Sequence, residues 1–161
     1  MWINSRKFDE DKNTVTLNGD YIFSFDTSDG FSERLLGAEL LIDHDFNYIF
    51  RMKAFQHEKI TKNGSDVYTE EGEVPETIFN YLEKLMDSDY QSLKQIYENV
   101  TFCMTDTGSQ MFLMNWAKPL YISITEGLPQ EFFVSETEQL LFNFNQYLKK
   151  WVEEKYRNWL K

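Results

Sequence analysis

I-D-H-D-F-N-Y-I-F, residues 42–50, admits two folds. Asp43, Asp45 and Asn47 alternate like the first three ligands of a calcium loop, which demands a helix on either side. The same residues suit a polar connection between two strands, because Asp and Asn side chains cap turns by bonding nearby backbone. A calcium loop also needs Gly at its sixth position and a bidentate Glu at its twelfth. Counted from Asp43, those positions hold Tyr48 and Ala54. The downstream flank has the period of a strand, with Tyr48, Phe50, Met52 and Ala54 on one side and Arg51, Lys53 and His57 on the other. The stretch reads as a hairpin turn without a metal, and its surroundings as an antiparallel sheet.

Outward from that turn the signals agree. T-V-T-L-N-G-D-Y-I-F-S-F-D sets Asn18-Gly19 between two strand-like runs, and both residues accept the positive φ of a tight hairpin. In the second run Tyr21, Phe23 and Phe25 share one face, and Ile22, Ser24 and Asp26 form a half-wet opposite face. S-E-R-L-L-G-A-E-L-L-I suits a strand, or a short helix weakened by Gly37. Asn63-Gly64 predicts a further hairpin.

After Pro75 the period changes. Ile78, Leu82 and Leu85 recur at helical spacing, with Phe79 and Met86 beside them, behind a proline placed for a first turn. Ser88 and Gln91 match a capping box that would open a second helix. V-T-F-C-M-T and M-F-L-M-N-W-A-K-P-L-Y-I-S-I-T are strand-like, joined by D-T-G-S-Q, with Pro119 interrupting the second run or placing it at an edge. The final stretch reads as one long helix: Ser135 and Glu138 form another capping box, and Leu141, Phe144, Leu148, Trp151 and Lys155 trace its inward stripe. Basic residues in its last turns complement the helix dipole and need no nucleic acid to explain them.

The expected fold is one α+β domain over residues 1–161 with a mostly antiparallel sheet. Its parts are a strand-rich 1–72, two helices at about 75–98, a hairpin at about 100–125 and a long helix at about 135–160. With 42% hydrophobic residues, 161 residues suffice for a core without disulfide or metal staples. Cys103 has no second cysteine to pair with and reads as a small buried hydrophobe, in keeping with a reducing compartment. The opening M-W-I-N-S-R-K-F-D-E-D-K turns acidic at once, so no secretory leader is expected, and no apolar run is long enough to span a membrane. The expected location is the cytoplasm. The patterns N-G-S at 63–65 and N-V-T at 99–101 then carry no glycan.

Charge carries the functional content. Sixteen bases stand against 27 acids, a net charge of −11. Residues 1–80 hold 8 bases and 16 acids, so the excess lies mainly in the first half. It is densest where Asp66, Glu70, Glu71, Glu73 and Glu76 meet no base. Such a surface repels phosphate backbones and anionic membranes and attracts a cationic protein.

No catalytic residue is assigned. The chain has no dinucleotide or phosphate loop and no H-E-x-x-H. Its two histidines, His44 and His57, sit in no nucleophile–base motif with Cys103 or Asp43. On a strand, Glu70 and Glu71 would point to opposite faces and make poor acid–base partners; the other reading of their segment is a solvated loop. No enzyme activity and no cofactor is expected.

A single acidic, aromatic-rich domain without a catalytic motif resembles in kind the small bacterial and phage inhibitors: immunity proteins, antitoxins and mimics of nucleic acid. The resemblance implies steric and electrostatic occlusion of one basic partner, a toxin nuclease or defence enzyme. Candidate contact residues are Asp66, Glu70, Glu71 and Glu73, with Tyr68 as an aromatic anchor and Asp43 and Asp45 in second place. Two other readings stand beside it. One is a phage or secretion-system assembly subunit that self-associates through the C-terminal helix around Trp151, Tyr156 and Trp159; the other is a small-molecule binder or enzyme with a pocket between sheet and helices.

Overall fold

A computed structural model of the chain describes residues 5–28, 35–54, 66–98 and 108–160. Seven strands form one sheet: β3 (Tyr21–Ser28), β4 (Leu35–Asp43), β5 (Asn47–Ala54), β6 (Val67–Glu73), β7 (Ile96–Tyr97), β8 (Ser109–Asn115) and β9 (Pro119–Thr125). Their order is β6-β5-β4-β3-β8-β9-β7. Every pairing is antiparallel except β7 with β9, so the sheet is mixed at one edge. Strands β1 (Arg6–Asp9) and β2 (Thr14–Leu17) form a separate two-stranded sheet.

Helices α1 (Glu76–Met86) and α2 (Glu136–Leu160) pack on one face of the large sheet. That face is built by alternation: Phe23, Phe25, Leu40, Ile42, Phe50, Met52, Phe112, Met114, Ile122 and Ile124 are all buried there. Each such side chain contributes roughly 1.5–3 kcal/mol on burial. The helices return Ile78, Leu82 and Leu85 from α1 and Leu141, Phe144, Leu148 and Val152 from α2. Phe144 stacks on Phe23 at 5.6 Å and on Tyr81 at 4.9 Å, which locks the two helices to the sheet and to each other. On the opposite face a smaller core of Leu17, Leu41 and Leu113 seats the β1–β2 hairpin.

The 42–50 stretch is the β4–β5 hairpin. Asp43 Oδ1 accepts the backbone N–H groups of Asp45 and Asn47, both at 2.9 Å, and the Phe46 N–H donates to the Asp43 carbonyl at 3.1 Å. Phe46 takes a left-handed φ of 60°, a conformation that costs a side chain about 1–2 kcal/mol. Its ring recovers contact energy edge-on against Phe79 at 5.0 Å.

Four expectations need correction. Asn18-Gly19 does turn the chain, with the Tyr21 N–H on the Asn18 carbonyl at 3.0 Å, but neither residue adopts positive φ and β2 does not pair with β3. β2 pairs instead with β1, through a turn closed by Asp9 and a left-handed Asn13 (φ 49°). Tyr21 does not share the face of Phe23 and Phe25: a bulge at Ile22 turns it to the hairpin side. No α-helix opens at Ser88, whose hydroxyl donates to the Leu85 carbonyl at 2.6 Å and closes α1. The chain then makes one 3₁₀ turn at Tyr90–Ser92 and pairs as β7, because burying Tyr97 in a 4.9 Å stack on Phe133 outweighs local helix preference. The late hairpin turns at residues 116–118 rather than at D-T-G-S-Q, whose Ser109 and Gln110 lie in β8; Pro119 interrupts the second run as expected and opens β9, where no ladder donor is lost. Residues 35–43, where a short helix was an alternative, are strand. Cys103, His57, Asn63-Gly64, both glycosylation patterns and the 100–105 run lie outside the described residues.

Candidate functional site

The acidic segment is strand β6, at one edge of the sheet, and pairing with β5 sorts its residues by parity. Tyr68 and Glu70 face α2, whereas Thr69, Glu71 and Glu73 face the opposite, outer side. Glu70 is held inside the chain. It accepts hydrogen bonds from Tyr48 Oη at 2.5 Å and Tyr68 Oη at 2.8 Å, and Lys155 Nζ lies 2.7 Å from its Oε2. Burial alone would raise the Glu70 carboxyl, but the Lys155, Tyr48 and Tyr68 hydrogen bonds outweigh it and hold the group below its ordinary range. The same burial and the facing carboxylate push the Tyr68 phenol up to about 12. Glu70 and Tyr68 therefore tie the sheet edge to α2. Asp66 is half-buried before β6, where its carbonyl accepts the Ala54 N–H at 2.9 Å.

Glu71 and Glu73 are different. They are exposed, and no ion pair among the described residues neutralises either. With Asp43, Asn47, Tyr21 and Ile49 they line one concave surface of about 440 Å³ on the outer face. The registers Asn47↔Glu73 and Ile49↔Glu71 and the pairing Tyr21↔Asp43 place these side chains together from four neighbouring strands. The result is an apolar floor of Tyr21 and Ile49 rimmed by three carboxylates. Asp45 is exposed at the tip of the adjoining turn, and His44 beside it donates through Nε2 to the Gly19 carbonyl at 2.8 Å. A larger hollow of about 700 Å³ lies along the β1–β2 hairpin, but Arg6, Lys7, Asp9 and Glu10 give it both signs of charge.

A second cluster was not anticipated. Beneath the β1–β2 hairpin, Arg6 bridges Asp26 Oδ2 at 2.7 Å and Glu39 Oε2 at 2.6 Å, and the Ser5 hydroxyl donates to the same Glu39 oxygen at 3.2 Å. Glu39 is 0% exposed, and its other oxygen meets no hydrogen-bond donor among the described residues. Burial raises its carboxyl from the ordinary 4.5 to about 7, with Arg6 pulling down and Asp26 pushing up. Asp26 is likewise raised by burial, against the pull of Arg6. The only sequence signal was a pair of acids inside apolar strands, whose register Asp26↔Glu39 becomes visible once β3 and β4 are paired.

On α2, half-buried Trp151 packs edge-on against Phe50 at 4.7 Å, and Trp159 is buried against Tyr68 at 5.7 Å. Among the described residues no cluster of three or more metal-ligating side chains occurs, and no helix is long and apolar enough to cross a membrane. No family model matches the chain, and no curated protein matches its sequence.

Proposed function

We propose that this protein is an acidic protein-binding inhibitor of the immunity-protein or antitoxin kind, which covers a basic surface of a partner such as a toxin nuclease or defence enzyme. The observation that carries the reading is the concave outer surface where Asp43, Glu71 and Glu73 surround Tyr21 and Ile49 with no cation to neutralise the two glutamates among the described residues. An apolar centre inside a charged rim is the arrangement of a protein interface. The net charge of −11 adds long-range attraction to a cationic partner. Glu70 drops out of the contact set, because its carboxylate already serves Lys155, Tyr48 and Tyr68.

The test is the double variant Glu71→Lys/Glu73→Lys, which leaves every described hydrogen bond in place. Captured from host lysate at low salt, the wild-type chain is expected to retain one stoichiometric basic protein that leaves near 0.5 M salt, where screening shrinks to about 4 Å. The variant should associate at least about tenfold more slowly. Equal capture by both forms, or recovery of the chain alone, would overturn the reading.

A further inference from the structure

Strand β6 presents more than charge at this site. Among the described residues it pairs only with β5, and from Thr69 to Glu73 the other side of its backbone meets no described strand. The ladder with β5 is bracketed by the Ala54 N–H on the Asp66 carbonyl and the Val74 N–H on the Phe46 carbonyl. Hydrogen-bonded pairs in an antiparallel ladder alternate, so they fall at Tyr48–Gly72, Phe50–Glu70 and Met52–Tyr68. Thr69, Glu71 and Glu73 then aim their N–H and C=O groups away from β5, at the free edge. Their side chains stand on the outer face, the face of the acidic hollow.

We propose that the free edge of β6 takes up an extended cationic segment of the partner protein as an added antiparallel strand. The inference rests on the inhibitor reading and specifies how that surface is used. Strand addition supplies affinity through main-chain hydrogen bonds and specificity through alternate side chains. A strand paired with Thr69, Glu71 and Glu73 sets its own alternate residues opposite them on the outer face, within about 4.5–5.5 Å. Lysine or arginine at those positions meets Glu71 and Glu73. A second copy of this chain would set Glu71 and Glu73 against another row of glutamates, and like charges directly opposite are destabilising. The same acids that keep the edge from self-pairing thus leave it open to a strand of opposite charge. Among the described residues, β7 at the far edge of the sheet has two residues, too few for such a ladder.

The probe is a fluorescent peptide of alternating lysine and valine, as long as the seven residues of β6. At about 20 mM salt we expect a dissociation constant of about 100 µM or below. Methylating the lysine backbone nitrogens should weaken binding at least about tenfold, because those N–H groups face β6. On the protein, Thr69→Pro removes one outward N–H and no bond of the β5 ladder, and should weaken peptide binding to the same degree. Binding unchanged by backbone methylation, or none up to about 1 mM, overturns strand addition, and the methylated peptide decides this even where Thr69→Pro fails to fold. Self-association through β6, seen as dimers that Thr69→Pro dissolves, overturns it also. A basic partner lost from Glu71→Lys/Glu73→Lys but held equally by folded Thr69→Pro would leave the inhibitor reading standing and remove only the strand.

Discussion

Glu39 shows how a single residue sets a pH response. Its carboxyl has a pKa of about 7 in the folded chain against an ordinary 4.5, because burial penalises the charge more than Arg6 compensates. The folded state binds more protons between those values, so this residue makes stability fall as pH rises from about 4.5 to about 7. Glu39→Gln keeps the shape and removes the titration. Relative to wild type, the variant should gain on the order of 1–3 kcal/mol between about pH 5 and 8, read from urea midpoints at the two values. Parallel midpoints would show that Glu39 stays ionised throughout. Glu70 and Glu138 act with the opposite sign, since hydrogen bonds outweigh burial at both and hold the carboxyls low, so their contribution is lost only as pH falls through their depressed values. The pH response was not legible beforehand: Glu39 sits between Ala38 and Leu40, and composition counts it as one more surface acid.

At the scale of elements, α2 begins with a capping box read directly from sequence. Ser135 Oγ accepts the Glu138 N–H at 3.1 Å and Glu138 Oε1 accepts the Ser135 N–H at 3.1 Å. Glu138 also accepts the Tyr97 hydroxyl at 2.8 Å, which ties the cap to strand β7. Ser135→Ala should cost about 0.5–2 kcal/mol by thermal or urea unfolding, and a change below about 0.3 kcal/mol would mean water replaces the cap. The equivalent pattern at Ser88 and Gln91 failed because a cap only satisfies a helix that forms. There the chain gained more from burying Leu93 and Tyr97 and pairing Ile96-Tyr97 with β9.

At the scale of the whole molecule, the β1–β2 hairpin is a separate sheet laid across the outer face. Asn115 Nδ2 reaches the carbonyls of Leu17, Asn18 and Tyr21 at 3.0–3.1 Å, and Leu17 fills the gap between Leu41 and Leu113. Asn115→Ala should loosen this attachment by about 1–3 kcal/mol. Hydrogen exchange should then quicken in residues 6–17 while β3, β4 and β5 keep their protection. Uniform loss of protection would instead make the hairpin part of one cooperative unit with the sheet.

The sequence by itself determined what depends on near neighbours. The alternation in β5, the Asp43 turn, the Ile78–Leu82–Leu85 stripe and the Ser135 cap are set by periods of 2 and 3.6 and by side chains that bond their own backbone. Parity on a strand would part Glu70 from Glu71, but only the pairing of β6 with β5 makes Glu70 a half-buried tie and Glu71 part of an exposed rim. Tertiary structure alone decided which strands pair, that Ile22 bulges and turns Tyr21 over, that Glu70 meets Lys155 from 85 residues away, and that Asp43 joins Glu71 and Glu73 on one surface. Those contacts lie far apart along the chain. They form because burying one apolar face under two helices and another under a hairpin fixes the register, and no local pattern encodes that choice.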